Sequence, residues 1–513
     1  MDTPAADPLP ASTRARLLNG WGVFALAVAV GCLAISNRSF WIDETLSALK
    51  ALMPTLGDWW RGMVQEKASD LQMPLYMVYL WGWEKLFGSG EWALRAANLP
   101  WFGAGVAWFV LAFPRGGQRG LALLVALFSS MAWYYLDEAR PYTMQLSGAL
   151  LIAGSLLRRG AAAQSREERQ GDLVFLVGLV ILSGSSLLGM IFAAGGLGLF
   201  ILLAGVQETL RRVRQSAAAW GVAGVLLLLL GVYYCWSVAI GARASAGATT
   251  SLKTTAFVFY ELLGFGGLGP GRLELRHGGL GAFGGVWGWV GAYAAVLGVV
   301  LAAGLIELLD WRVSKEPGNQ TTCRGGGWKP WLAGAISLIP AVLILAAGLA
   351  MHFRVLGRHL MPLLPLIWVV FLAGLRRLWE RGGGLGKGIS VAFLALNVMS
   401  CLTLRWADRH AKDDYRSAAA YAQEALRSGR SVWWNAAEQG AIYYRVPLGP
   451  GGAEFLMNPT PGDLEGRSRP DVVIASKPDV YDVQGSLAQW LAAGGYVSVR
   501  RWPAFEVWER KIR

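Results

Sequence analysis

Charge is scarce in this sequence. Lysine, arginine, aspartate and glutamate make up only 16% of the 513 residues, against about 25% in soluble domains. With 54% hydrophobic residues and a mean hydropathy of +0.39, an ordinary soluble globule is excluded. Cysteine is scarce too. Cys32, Cys235, Cys323 and Cys401 are scattered without metal-ligand spacing. Three of them lie in or beside apolar runs, where a thiol reads as a small buried hydrophobe rather than a disulfide or a ligand. There are four histidines and no metal-type His spacing, so no zinc site is expected. The chain shows no internal repeat and no long low-complexity tract.

Tryptophan and glycine are abundant, with 25 and 66 copies. Trp suits bilayer interfaces and Gly allows close helix packing, so the chain reads as a polytopic α-helical membrane protein. The net charge of +13 does not point to nucleic acid. Most basic residues fall in short loops between apolar runs, where they set topology. At about 20 apolar residues per span, about eleven transmembrane helices are expected: 17–36, 94–113, 121–136, 143–157, 173–189, 190–206, 217–240, 283–309, 330–350, 361–375 and 388–404. The first follows Arg14 and Arg16. It exceeds the 7–15 residue core of a signal peptide and no small-x-small cleavage site follows it, so it counts as a span. The fifth and sixth divide one continuous run near Gly189. The inner segments of this scheme hold 19 Lys and Arg, whereas the short outer loops hold Arg140, Arg354 and Arg358 alone. The positive-inside rule then puts the N-terminus in the cytoplasm and the C-terminal region outside.

Two outer segments are long. Residues 37–93 are too rich in Trp, Leu and Met for a solvated loop, and Glu44 to Leu52 and Pro74 to Phe87 read as helices on the membrane surface. Pro74 suits a first helical position. Residues 241–282 are Gly-rich, and a loop of that length is usually functional or mobile. The chain divides into a membrane domain, 1–404, and a charged tail, 405–513, with the character of a small soluble α/β domain. In the tail, Asp414 to Ser428 reads as a helix ended by Gly429, and Gly485 to Ala493 as a second. Ser431 to Asn435 and Asp471 to Ser476 read as strands, and Tyr496 to Arg500 pairs with Phe505 to Glu509.

Two acidic clusters sit at outer ends of apolar segments, where carboxylates are costly and seldom incidental. Asp43-Glu44 follows the first span. Asp43 could cap a surface helix with Glu44 in its first turn, which would also fix the direction of the carboxylate. Asp137-Glu138-Ala139-Arg140-Pro141-Tyr142 forms a tight outer turn. Either Arg140 pairs locally with Asp137 or Glu138, or Glu138 shares a site with Asp43 while Arg140 holds a phosphate or orients a carboxylate. A third candidate runs from His352 to Pro362. Arg354 and Arg358 there could snorkel to lipid headgroups, or Arg358 could grip an anion bidentately. Lys412-Asp413-Asp414-Tyr415-Arg416 reads best as a solvated helix start, with contact to substrate or to the membrane domain as the alternative. Asn319-Gln320-Thr321 matches a glycosylation acceptor, but the topology makes it cytoplasmic.

Taken in order, these motifs resemble the GT-C class of lipid-dependent glycosyltransferases. The closest likeness is to the bacterial family related to protein O-mannosyltransferases and aminoarabinose transferases. The matching residues are Asp43-Glu44, Pro74-Leu75-Tyr76, Leu86-Phe87-Gly88 with Ala93-Leu94-Arg95, Glu138-Ala139-Arg140-Pro141-Tyr142, and Arg358 to Pro362. The likeness is firmest over 17–160 and thin across 170–350. It implies a polyprenyl-phosphate-linked sugar donor and transfer on the outer membrane face. Asp43 would match the Asp that deprotonates the acceptor hydroxyl, and Arg358 and Arg140 would face the donor phosphate. Relatives often carry His or Glu two residues before the Pro. Gln72 stands there in this chain, and Asp70 is the nearest acid.

The reading is an inverting glycosyltransferase of the bacterial inner membrane. The acceptor is a glycan, lipid or protein hydroxyl, and no cofactor is required. A divalent ion held by Asp43 and Glu138 is compatible with the pattern but unsupported by it. Asp43, Glu44 and Glu138 are the catalytic candidates. Arg140, Tyr142, Arg358, His359, Asp70, Gln72 and Tyr76 are the substrate-binding candidates. The alternative is a transporter or flippase of a lipid-linked saccharide. Transporters more often show inverted repeats and mid-membrane charges, whereas here the charges cluster at outer ends. A non-catalytic scaffold presenting the tail leaves the paired acidic clusters unexplained.

Overall fold

The structure, a computed structural model, describes residues 19–158, 165–241, 249–310 and 330–511. Arg14, Arg16, Cys323 and Asn319-Gln320-Thr321 lie outside them. The chain is a multi-pass helical bundle carrying a small C-terminal sheet. Among the described residues six helices are long and apolar enough to cross a membrane: Leu187–Ala204, Ala217–Ala239, Trp287–Asp310, Ala333–Ala350, Gly357–Arg381 and Gly383–Trp406. A seventh forms if Gly117–Leu127 and Ser130–Leu136, bent by 51°, are one span. The expected count of about eleven is therefore not met on length and composition.

Helix length accounts for part of the shortfall. Gly20–Ala34 and Leu99–Val110 have 15 and 12 residues, reaching about 23 and 18 Å at 1.5 Å per residue against a hydrocarbon core of about 30 Å. Tyr142–Arg158 is buried inside the bundle and carries Thr143, Gln145, Ser147 and Ser155. Its contacts depend on small residues. A Cβ on Gly148 would lie 2.8 Å from the Leu182 backbone nitrogen, so glycine lets the two helices touch backbone to backbone. The run expected to break near Gly189 breaks at Ser186 instead, whose hydroxyl accepts from the Gly189 N–H at 2.9 Å. On Ala217–Ala239, Val222, Val225, Leu228 and Leu229 are exposed. A water-facing helix would not display such a stripe, whereas a bilayer covers it.

The first long connecting segment, 37–93, folds as the helices Ile42–Ala51, Leu56–Glu66 and Pro74–Phe87, with Pro74 at the first helical position. Phe40, Ala48, Leu71, Tyr76, Met77 and Leu80 pack into their own core. The second, in its described part, is helical as well: Leu252–Leu262, two 3-10 turns and Arg272–Gly278.

The C-terminal unit has strands β1 (Val432–Asn435), β2 (Glu454–Phe455), β3 (Val472–Ser476), β4 (Tyr496–Trp502) and β5 (Phe505–Arg510), in the order β2-β1-β3-β5-β4. β1 runs parallel to β2 and β3, while β5 runs antiparallel to β3 and β4. The helix Tyr415–Arg427 lays Tyr415, Ala418, Ala419, Ala422 and Ala425 on one face of this sheet. The helix Ser486–Ala493 covers the other face through Leu487 and Leu491. Cover on both faces explains why β1 is buried at every residue.

Docking of this unit on the bundle is polar. Tyr444 Oη accepts from the Phe40 N–H at 2.8 Å and donates to Glu91 at 2.9 Å. Tyr443 donates to the Ser89 carbonyl at 2.7 Å. Arg416 pairs with Glu91, and Arg276 pairs with Asp479 at 3.1 Å.

Candidate active site

The two acidic clusters lie side by side, and Glu44 joins them. Its carboxylate is fully buried and takes two bonds from Arg95, from Nε and Nη2, each 2.8 Å. It also accepts from the Ala139 N–H at 2.9 Å. Arg95 donates further to the carbonyls of Ser36 and Arg38 at 3.0 and 2.8 Å. One ion pair thus ties the end of the first helix, the first surface helix and the acidic turn together. In this geometry Glu44, one of the expected catalytic acids, faces Arg95 and the Ala139 N–H, with the Lys412 ammonium 3.5 Å away.

Asp43 does not cap its helix. The N-cap is Trp41, in extended backbone with no side-chain cap bond. The Asp43 carboxylate turns instead to Arg358, whose Nη1 donates to it at 2.8 Å. Both side chains keep partial access, at 22% and 14%. Burial pushes the Asp43 carboxyl up, but the guanidiniums of Arg358 and Arg140 outweigh it and hold it below the usual carboxylate range. The rings of Trp41 and Tyr142 each lie 5.5 Å from the Arg358 guanidinium, so they flank the cation and leave its charge for an anion.

In the acidic turn, Asp137 is used up by Ser36, accepting its N–H at 2.6 Å and its hydroxyl at 2.9 Å. Arg140 pairs with neither acid of its own turn. It bonds Asp70, the Ser47 hydroxyl at 2.7 Å and the Asp43 carbonyl at 3.3 Å. Asp70 and Arg140 are both buried, which makes them a brace between surface helix and turn. Glu138 differs from all of these. It is fully buried and neither carboxylate oxygen has a partner among the described residues. Burial pushes its carboxyl up to about 7, aided by Glu44 and opposed by Lys412, Arg272 and Arg358.

Arg358 sits in the 3-10 turn Gly357–Leu363. Glu261, from the second outer segment, accepts from the Gly357 N–H at 3.2 Å and pairs with Arg272. Arg272 donates to Tyr135 Oη at 2.8 Å. His359 is tied locally, its Nδ1 accepting from the Leu356 N–H at 3.2 Å. Tyr76 is buried, and its hydroxyl has no partner among the described residues. Gln72 ends the 3-10 turn Ser69–Gln72 just before the Pro74 helix. Among the described residues no group of three or more His, Cys, Asp or Glu could hold a metal ion.

No family model matches the sequence, and no curated protein matches it. A match appears among solved structures. ArnT from Cupriavidus metallidurans, in the apo state, aligns over 97% of this chain and 98% of its own, with 13% identity and a TM-score of 0.52. The chain shares the fold of this structure. ArnT bound to undecaprenyl phosphate covers the same shares at 13% identity with a TM-score of 0.47. The arabinofuranosyltransferase AftD from Mycobacteria covers 99% of this chain and 40% of its own, at 13% identity and a TM-score of 0.43.

Glu261 and Arg272, which lie beside the residues of this site, are not singled out by the sequence, and Lys412 reads there chiefly as part of a solvated helix start. The first two sit in a Gly-rich segment with no motif around them. Lys412 and Asp413 belong to the cluster expected to be a solvated helix start, yet the Lys412 side chain is 7% exposed and Asp413 is buried. The signal was three charges, Lys412-Asp413-Asp414, close behind an apolar helix. Only Asp414 follows the expected pattern, capping Tyr415–Arg427 by accepting from the Ser417 N–H at 3.0 Å.

Proposed function

We propose that this chain is a glycosyltransferase of the bacterial inner membrane, transferring a sugar from a polyprenyl-phosphate donor to an acceptor hydroxyl on the outer face. The observation that carries this reading is the Asp43–Arg358 pair, 2.8 Å long and partly accessible within an otherwise buried set of charges. A carboxylate and a guanidinium presented together suit a reaction that takes a proton at one point and releases a phosphate at another.

The acceptor oxygen forms a bond to the anomeric carbon from the face opposite the phosphate. Its proton passes to Asp43, and the anomeric carbon–oxygen bond to phosphate breaks with its electron pair leaving on the lipid phosphate. The configuration inverts. A lipid phosphate is a competent leaving group, so cations rather than an acid suffice there. Arg358 supplies one, and Arg272 lies close enough to influence the same carboxylate, Glu138.

The resting pair orders the steps. While Arg358 holds Asp43, the carboxylate is a weak base. A donor phosphate competes for the guanidinium bidentately. Asp43 then loses its counterion and its proton affinity rises toward that of a useful base. Donor therefore binds before acceptor deprotonation. Trp41 and Tyr142 flank the Arg358 guanidinium, and the acceptor is a glycan, lipid or protein hydroxyl.

The test is transfer from radiolabelled polyprenyl-phosphate sugars in membranes holding wild type, Asp43→Asn or Asp43→Glu. Asp43→Asn should lose at least about 100-fold of the rate, the range expected on removing a positioned base. Asp43→Glu should retain a measurable fraction. Wild-type rates in a correctly folded Asp43→Asn protein refute the base assignment.

A further inference from the structure

The C-terminal unit reaches into the site with one residue. Lys412 lies in the link between the last membrane helix and the sheet. Its ammonium donates to the Asp137 carbonyl and stands 3.5 Å from both the Glu44 and the Asp137 carboxylates. It also lies 5.7 Å from the Tyr134 ring centre. Three buried carboxylates meet there, Glu44, Asp137 and Glu138. Arg95 answers Glu44 directly but stands 3.7 Å from Asp137. The Glu138 carboxylate is left with no hydrogen bond among the described residues.

An isolated ammonium is costly to bury, so Lys412 does not enter this crevice by chance. Two further contacts hold the link in place. A Cβ on Gly271 would lie 1.7 Å from the Arg409 carbonyl oxygen, so the outer segment and the link press backbone to backbone. Lys477, in the loop after β3, forms a buried pair with Asp413 next to Lys412, and its charge also reaches Asp43.

We propose that Lys412 is a positioning residue of the active site. The segment behind the last membrane helix delivers a buried ammonium against the acidic turn, where it faces the Glu44 and Asp137 carboxylates beside the unpaired Glu138. The site is then complete only with the C-terminal unit docked. This inference rests on the glycosyltransferase reading for its consequence, though not for its measurement.

The charged groups facing Glu138 are Lys412 from the link, Arg272 from the second outer segment, Arg358 from the 3-10 turn and Glu44 from the first surface helix. Lys412 is the strongest of the three cations. Removing it therefore raises the proton affinity of Glu138.

The test uses the full-length protein, purified in detergent, as wild type, Lys412→Met, Lys412→Arg, Glu138→Gln and the Lys412→Met/Glu138→Gln double variant. Melting temperature is followed from pH 5 to 9, and sugar transfer over the same range. Wild-type melting temperature should fall as pH rises from 5, the step ending in a plateau near pH 7, where Glu138 titrates. In Lys412→Met this step should move up by about one pH unit, and the acid limb of transfer should move with it. Lys412→Arg should keep both near wild type. Both variants carrying Glu138→Gln should show no step. A step that stays in place in folded Lys412→Met overturns the proposal, as does a Lys412→Arg variant behaving like Lys412→Met. Should Lys412→Met fail to fold, Lys412→Arg and the double variant still decide: a step persisting in the double variant overturns it. If wild type transfers no sugar, the glycosyltransferase reading falls, and the melting step still reads the Lys412–Glu138 coupling.

Discussion

Replacing Glu44 by Gln keeps the shape of the side chain and removes its charge. Glu44 makes three bonds, two to Arg95 at 2.8 Å and one to the Ala139 N–H at 2.9 Å. Both members of the pair are fully buried, so solvent cannot compensate. Breaking one side of such a pair costs about 3–5 kcal/mol, most of it the stranded charge. Arg95 keeps the Ser36 and Arg38 carbonyls and the more distant Asp137, which places the cost near the lower end, at about 3 kcal/mol. At about 2–4 °C per kcal/mol for a large domain, the detergent-solubilised protein should melt about 6–12 °C lower. The assay is a thermal unfolding curve at pH 7.5, with a double-mutant cycle through Arg95→Met. If the pair is the joint between clusters, the cycle should return a coupling of at least about 2 kcal/mol. A Glu44→Gln protein melting within a degree of wild type refutes the reasoning, because a stranded guanidinium cannot be free.

Two further outcomes follow from the same geometry. The Glu138 carboxyl rises from 4.5 to about 7 in the folded protein. The native state therefore binds a proton that the unfolded chain has lost, and stability present below pH 4.5 is lost as pH rises to about 7, amounting to about 3 kcal/mol. Glu138→Gln should match wild type at pH 5 and melt several degrees higher at pH 8; equal curves at both values would remove Glu138 as the strained acid. Gly357→Ala would set a Cβ 2.5 Å from a Glu261 carboxylate oxygen and 3.0 Å from its Cβ, displacing the turn that carries Arg358. Transfer should fall by about 10-fold or more with little change in melting temperature, and unaltered transfer would show that the turn tolerates the shift.

The sequence alone settled the class of the chain, because composition and hydrophobic runs act locally and leave few options: a polytopic helical protein with a mixed α/β tail. It also placed Asp43, Glu138 and Arg358 at helix ends, since charges beside apolar segments are conspicuous without any fold. Strand positions in the tail were legible for the same reason, as β-branched and aromatic runs between turn residues. Tertiary structure decided the roles within the acidic clusters. Neighbours in sequence, Asp43 and Glu44 face Arg358 and Arg95 respectively, and adjacent residues on a helix point about 100° apart. Arg140 passes over both acids of its own turn for Asp70. Lys412 reached the acidic turn across 275 residues of chain. Whether a charge is solvated, spent on packing or left facing a site depends on which distant element arrives beside it, and no local pattern encodes that.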